Sequence, residues 1–176
     1  MKAVIAALII IIQAAASPAY AEKAKKIETI DLRSIPDEEI TKMAWFLQSG
    51  SGKIDGQAFL RQRGGGVVRA AGEVVYLTPS VGYFLLRSLS FELIELYILN
   101  HTKFEIVGGD KREDQYIKAT KADADGRFSF SGLPDGRYFI STRVVWFVGK
   151  SRQGGYVKAY ADVRGGNSVT VIVDSQ

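Results

Sequence analysis

Asp123-Ala124-Asp125-Gly126-Arg127-Phe128-Ser129-Phe130-Ser131-Gly132-Leu133-Pro134-Asp135-Gly136-Arg137-Tyr138-Phe139-Ile140 predicts two tight turns around a short strand. Asp125-Gly126 is a turn pair in which glycine takes the positive φ that a side chain resists. Phe128 and Phe130 alternate with serines, so both rings point to one face. Leu133-Pro134-Asp135-Gly136 predicts the second turn, with proline presetting its own φ and Gly136 absorbing the awkward dihedral. Tyr138 and Ile140 then share a face of the next strand.

The same pattern extends in both directions. Downstream, alternating β-branched and aromatic residues predict strands over 137–147, 156–163 and 168–173, and upstream over 116–120, separated by glycine-rich turns. Ile54 to Leu60 predicts a first strand and Glu73 to Thr78 a second, closed by Pro79, with Val67 to Ala70 between them. Gly64-Gly65-Gly66 lacks the spacing of a phosphate-binding loop, so a turn or bulge is the expectation. The whole is mainly β and predicts a β-sandwich of about seven strands.

From Asp123 to Tyr138 the chain matches D-x-x-G-x-F-x-F-x-x-L-P-x-G-x-Y, and this resembles the carboxypeptidase regulatory-like family. Ile54-Asp55-Gly56-Gln57-Ala58, followed by Ala71-Gly72-Glu73-Val74-Val75-Tyr76-Leu77-Thr78-Pro79, is similar to that family's opening strands. The resemblance covers most of 53–173 and implies a transthyretin-like (prealbumin-like) sandwich. It also implies a non-catalytic accessory or binding module, often exported, with no active site. The chain departs from the family pattern by a long insertion at about 80–115.

Two helices interrupt the strand pattern. Ser34-Ile35-Pro36-Asp37-Glu38-Glu39 carries helix-start signals. Ile40, Met43, Ala44 and Leu47 then recur at helical spacing, predicting one helix over about 36–48 with Trp45 and Phe46 packed on the following domain. Ser49-Gly50-Ser51-Gly52 reads as a linker. Over 82–100, Phe84, Leu85, Leu89, Leu93, Leu96 and Leu99 make an apolar stripe opposite Arg87, Ser88, Glu92 and Glu95. This inserted helix is either core or a docking face, and Leu85, Leu89, Leu93 and Leu96 are its candidate protein-docking residues. Gly108 to Asp114 is expected to be a solvated charged loop.

The N-terminus has the form of an export signal. Met1-Lys2 precedes the apolar run Ala3 to Ile12, Ser17-Pro18 breaks it, and Ala19-Tyr20-Ala21 is a cleavage site of the A-x-A type. The run is half the ~20 residues a membrane span requires. The expected organisation is a signal peptide over 1–21, a helical appendage over 22–52 and the sandwich over 53–176. The location expected is periplasmic or secreted, with no stable membrane span after cleavage.

Composition excludes several functions. The 176 residues include no cysteine and one histidine, so disulfides, thiolate chemistry and multi-histidine metal sites are ruled out. The formal charge of +4 loses only Lys2 with the signal, too small an excess to imply nucleic acid. Asp123-Ala124-Asp125-Gly126 begins like a calcium loop, but loop position twelve falls on Pro134 instead of glutamate. His101 stands alone, Gly50-Ser51-Gly52 is no nucleophile elbow, and the Glu38/Glu39 and Glu92/Glu95 pairs lie on polar helix sides. The fold also hosts hydroxyisourate hydrolases, whose several His and Arg residues and Tyr-Arg-Gly-Ser end this chain lacks.

No catalytic, cofactor or metal residue is therefore expected, and the protein is expected not to be an enzyme. The leading expectation is an envelope accessory or scaffold protein that binds another protein. The alternative is a carbohydrate-binding module that stacks sugars on Trp146, Tyr156 and Tyr160, unless those rings are core. The export signal carries its own test: N-terminal sequencing of the protein from an envelope fraction should begin at Glu22, and recovery of an intact Met1 would contradict the cleavage.

Overall fold

The computed structural model describes residues 27–32, 35–62, 64–85, 87 and 103–174. Among the described residues ten strands run in the order β1 (Ile27–Leu32), β2 (Gly52–Arg61), β3 (Val67–Arg69), β4 (Val74–Pro79), β5 (Lys103–Gly108), β6 (Lys118–Lys121), β7 (Arg127–Leu133), β8 (Gly136–Val148), β9 (Ser151–Val163) and β10 (Ser168–Val173). Eight of them form two four-stranded sheets, β10-β2-β3 with β7 on β2, and β6-β4-β8-β9. The molecule is a mainly β sandwich, as the alternation predicts. In the first sheet β10 joins β2 in parallel, Ser168 opposite Lys53 through Val173 opposite Ala58. The second sheet is antiparallel throughout.

Alternation decides which side chains fill the space between the sheets. Ile54 and Ala58 of β2, Val75 and Leu77 of β4, Tyr138, Ile140 and Val144 of β8, and Val157 of β9 have no solvent exposure. Each large apolar side chain buried this way contributes ~1.5–3 kcal/mol. Thr142, which points the same way, gives its hydroxyl proton to the Val74 carbonyl at 2.8 Å, so the core holds a polar atom without leaving it unpaired. Phe128 and Phe130 of β7 are both buried, their rings 5.9 Å apart.

The two turns form, with one change of detail. Gly126 takes φ +74, and a Cβ there would stand 2.5 Å from the Ala58 carbonyl oxygen, so only glycine fits. Gly136 was expected to absorb a similar dihedral, yet the positive φ falls on Gly132, where the β2–β7 register shifts. Gly136 is required for room: a Cβ would run into the Trp45 ring.

That ring belongs to the N-terminal appendage. The helix expected over 36–48 is α1 (Asp37–Met43), followed by a tighter 3-10 turn over Ala44–Leu47. The tightening lets Met43 and Phe46 both reach zero exposure. Trp45 meets Tyr138 edge-on at 5.2 Å and Phe46 packs 5.8 Å from the same ring. Tyr138 in turn donates its hydroxyl to the Pro134 carbonyl at 2.6 Å. The appendage is thus built into the core, as Trp45 and Phe46 predict.

Two strands were absent from the sequence expectations: β1 and β5, which pair in parallel from Ile27 opposite Lys103 to Leu32 opposite Gly108. The loop expected over Gly108–Asp114 is also different. A 3-10 turn spans Lys111–Tyr116, with Glu113 and Tyr116 buried. Asp110 and Arg112 use this turn to clamp the appendage. Arg112 bonds Asp110, Asp37 and the Ile35 carbonyl, and the Ile35 amide donates to Asp110. Of the inserted helix, residues 82–85 and Arg87 are described and helical. His101, Leu89, Leu93 and Leu96, Glu92 and Glu95, and the signal segment lie outside the described residues.

Two outcomes follow from this packing. Gly136→Ala should overpack the Trp45 site and cost about 1–3 kcal/mol, measured by urea denaturation, together with a shift in tryptophan emission. The Asp110 carboxyl is held down to about 2 by its hydrogen bonds to the Arg112 side chain, then by the Arg112 and Ile35 amides. Its contribution to stability is therefore complete above the unfolded value of ~3.9 and is lost as pH falls toward 2. Asp110→Asn should flatten the fall of the urea midpoint across that acid window.

Candidate functional site: an aromatic cleft on the outer sheet face

In β8 the side chains that alternate with the core residues point outward, and in-register neighbours follow them. Phe139 lies opposite Tyr160, Ser141 opposite Lys158 and Arg143 opposite Tyr156. On the other side of β8, Thr78 pairs with Phe139 and Tyr76 with Ser141. The outer face of the β6-β4-β8-β9 sheet is therefore a strip of rings and polar side chains. Tyr76 and Tyr160 are 44% and 46% exposed, while Phe139 is only 3% exposed although it stands outside the main core cluster. Tyr160 covers it, with ring centroids 5.3 Å apart, and the Arg137 guanidinium lies 5.3 Å from the Tyr160 ring centre.

Part of this strip is hollowed into a cleft of about 290 Å³. Tyr76 and Thr78 of β4, Phe139 and Ser141 of β8 and Tyr156 of β9 line its sheet side. Phe84 and Arg87 of the inserted segment, with Ile117, make the wall. The wall is held by the buried Glu113, which forms an ion pair with Arg87 and accepts a hydrogen bond from the Tyr83 hydroxyl at 3.1 Å. Burial, reinforced by the Glu113 carboxylate, raises the Tyr83 phenol above its ordinary value, so it stays a donor. Removing one of these partners would leave a buried polar group uncompensated, which is costly.

Among the described residues, one lining group has no partner. The Thr78 hydroxyl oxygen is buried and makes no hydrogen bond among the described residues, in a side chain whose residue is 8% exposed. A buried hydroxyl left unpaired costs ~1–3 kcal/mol, and its position among the cleft-lining residues gives a ligand something to satisfy. The lining as a whole offers ring faces, the hydroxyls of Tyr76, Thr78, Ser141 and Tyr156, and a guanidinium paired with Glu113.

The sequence candidates are divided by this geometry. Tyr156 and Tyr160 share the outer face, with Tyr156 in the cleft and Tyr160 along its extension. The unbroken β8–β9 register puts Trp146 opposite Gln153, which by alternation is the other face, so it cannot stack with the two tyrosines. Tyr76, Thr78 and Phe139 were not singled out from sequence, although Val74-Val75-Tyr76-Leu77-Thr78 alternates and puts Tyr76 and Thr78 together. Of the expected docking stripe, Leu85 is described and half-buried, and the neighbouring Phe84 turns into the cleft wall. Asp123, the start of the supposed calcium loop, accepts the amides of Asp125 and Arg127 at 2.8 Å each, a turn-forming role. No group of three or more metal-ligating side chains occurs among the described residues, and no helix there is long and apolar enough to cross a membrane.

No protein-family model matches the chain, and no curated protein matches it. Among solved structures, it is similar to the crystal structure of a candidate carbohydrate-binding protein from Pseudomonas aeruginosa. The two are 24% identical with a TM-score of 0.66, over 80% of this chain and 97% of the other. The similarity is one of fold.

Proposed function

We propose that this protein is a non-catalytic binding module that seats carbohydrate in the outer-face cleft. The observation that carries the reading is the buried Thr78 hydroxyl, unpaired among the described residues, in a cleft walled by the rings of Tyr76, Phe139 and Tyr156. Sugars present apolar C–H faces and a rim of hydroxyls, and a site with ring faces beside hydrogen-bonding groups matches both at once. The volume is at the small end of ligand sites, which run from ~300 to 1,000 Å³, so it suits one or two sugar rings. A longer glycan would continue over the exposed Tyr160. The described fold-mate from Pseudomonas aeruginosa is named for the same ligand class, which supports the reading. The resemblance to carboxypeptidase regulatory-like modules and the export signal fit an accessory protein working outside the cytoplasm, in the periplasm or secreted.

The test is a titration of the purified protein against a panel of envelope and plant oligosaccharides, followed by amide chemical shifts. Binding should shift Tyr156, Ser141 and Thr78. Tyr156→Ala should weaken it by about threefold to tenfold, the value of one aromatic stacking contact. Thr78→Val should leave the unliganded protein as stable as before or more so, because it removes an unpaired hydroxyl, while weakening the ligand. Absence of binding across the panel, or binding untouched by both substitutions, would refute the cleft as a glycan site.

A further inference from the structure

The β8–β9 hairpin runs past the sheet that carries the cleft. β4 accompanies β8 only as far as Thr142, opposite Val75, and the bridge from β9 to the residue after β10 is made at Lys158. Beyond those points the described pairing of the two strands is with each other, out to Val148 opposite Ser151. Val144 and Val157 still reach the core with no exposure. Val145 and Trp146 are half-buried. Phe147 and Val148, at 68% and 63%, are the most exposed large apolar side chains among the described residues. Alternation puts Phe147 on the cleft's face of the ribbon and Trp146 and Val148 on the opposite one. Gly149, at φ +60, and the exposed Lys150 close the turn. No acidic residue occurs between Asp135 and Asp162.

We infer that this tip is a membrane-contact element, which places Trp146, Phe147 and Val148 in the interface of an anionic bilayer and keeps Lys150 among the phosphates. The inference is independent of the cleft's ligand. Two features choose lipid over a protein surface. Apolar side chains stand on both faces of the ribbon and at its end. A partner laid against one face would leave the other wet, whereas a lipid surface surrounds them all. The composition of the tip, rings and a lysine with no carboxylate in the hairpin to be repelled, also suits a headgroup layer. Aromatic rings settle there, and a lysine extends to the phosphates. From Val145 to the turn the ribbon advances ~14 Å, enough for the ~5–10 Å depth at which interfacial elements sit. Ser141 of the cleft lies ~24 Å behind Val148 along β8, so the docked protein holds the cleft clear of the headgroups.

Cosedimentation of the mature chain with vesicles tests this, using equimolar phosphatidylcholine and phosphatidylglycerol against phosphatidylcholine alone. The mixed vesicles should bind the protein, and Lys150→Gln should lower that binding about fivefold, the value of one lysine at an anionic surface. Phe147→Ser/Val148→Ser should weaken it about tenfold or more, with the urea midpoint unchanged because both side chains are exposed. Tryptophan emission should shift to the blue on the mixed vesicles. Trp146→Phe should remove that shift, since Trp45 is packed against Tyr138. Absence of binding to either vesicle overturns the inference. So does binding that Phe147→Ser/Val148→Ser leaves intact, which puts the contact elsewhere on the chain. A dimer in sedimentation velocity, lost in that variant and unaccompanied by vesicle binding, gives the tip to a second copy and overturns it as well.

Discussion

The β8–β9 ladder governs the rest of the molecule. Its register is unbroken from Gly136 opposite Val163 to Val148 opposite Ser151, with the tight turn at Gly149-Lys150 joining the strands. Because side chains alternate without interruption, one parity assigns every residue of both strands to a face. Tyr138, Ile140 and Val144 go to the core, and Phe139, Ser141, Tyr156 and Tyr160 go outward. A bulge in this ladder would exchange the two sets. The hydrophobic interior and the ring-lined cleft are two sides of one pairing.

The second constraint is the aromatic group that ties the appendage to the sandwich. Trp45, Phe46, Tyr116 and Tyr138 surround one another at centroid distances of 5.2 to 6.4 Å. Edge-on and tilted rings of this kind add ~0.5–1.5 kcal/mol per pair beyond burial. Glycine at 136 makes the approach of Trp45 sterically allowed. The same turn that carries Gly136 also carries Asp135, whose carboxylate accepts the amides of Gly165 and Gly166 and is thereby held below the usual carboxylate range. Appendage, hairpin turn and the loop before β10 are thus fastened at one end of the sandwich.

The strands of the sandwich were legible because alternation, β-branching and glycine turns are local signals. Phe128-Ser129-Phe130 and Tyr138-Phe139-Ile140 state their faces outright. The pair β1 and β5 was not legible, since its stability comes from a partner far along the chain and Phe104 and Ile106 are a short alternation. The burial of Glu113 was hidden for a similar reason: Lys111-Arg112-Glu113-Asp114 looks solvated until Arg87 and Tyr83 arrive from the insertion. For the site, Tyr156 and Tyr160 announced their common face by spacing. Trp146 was misgrouped with them because parity across a hairpin depends on turn length, which the run from Val145 to Gly155 leaves open. Thr78 carries no sequence signal, because an unpaired hydroxyl exists only once its surroundings are built.

The parallel pairing of β10 with β2 bears on when the sandwich can form. β2 is the first strand of the sandwich and β10 the last, and Lys53 waits for Ser168 to complete its edge. Lys158 and Asp174 make a further bridge between β9 and the residue after β10. Contacts so distant in sequence are slow to close, because the loop entropy is spent before they form. A chain emerging from its N-terminus first therefore exposes β2 with one edge open until nearly its last residues are free. Folding of this sandwich is a whole-chain event, in which the first strand is secured only by the last.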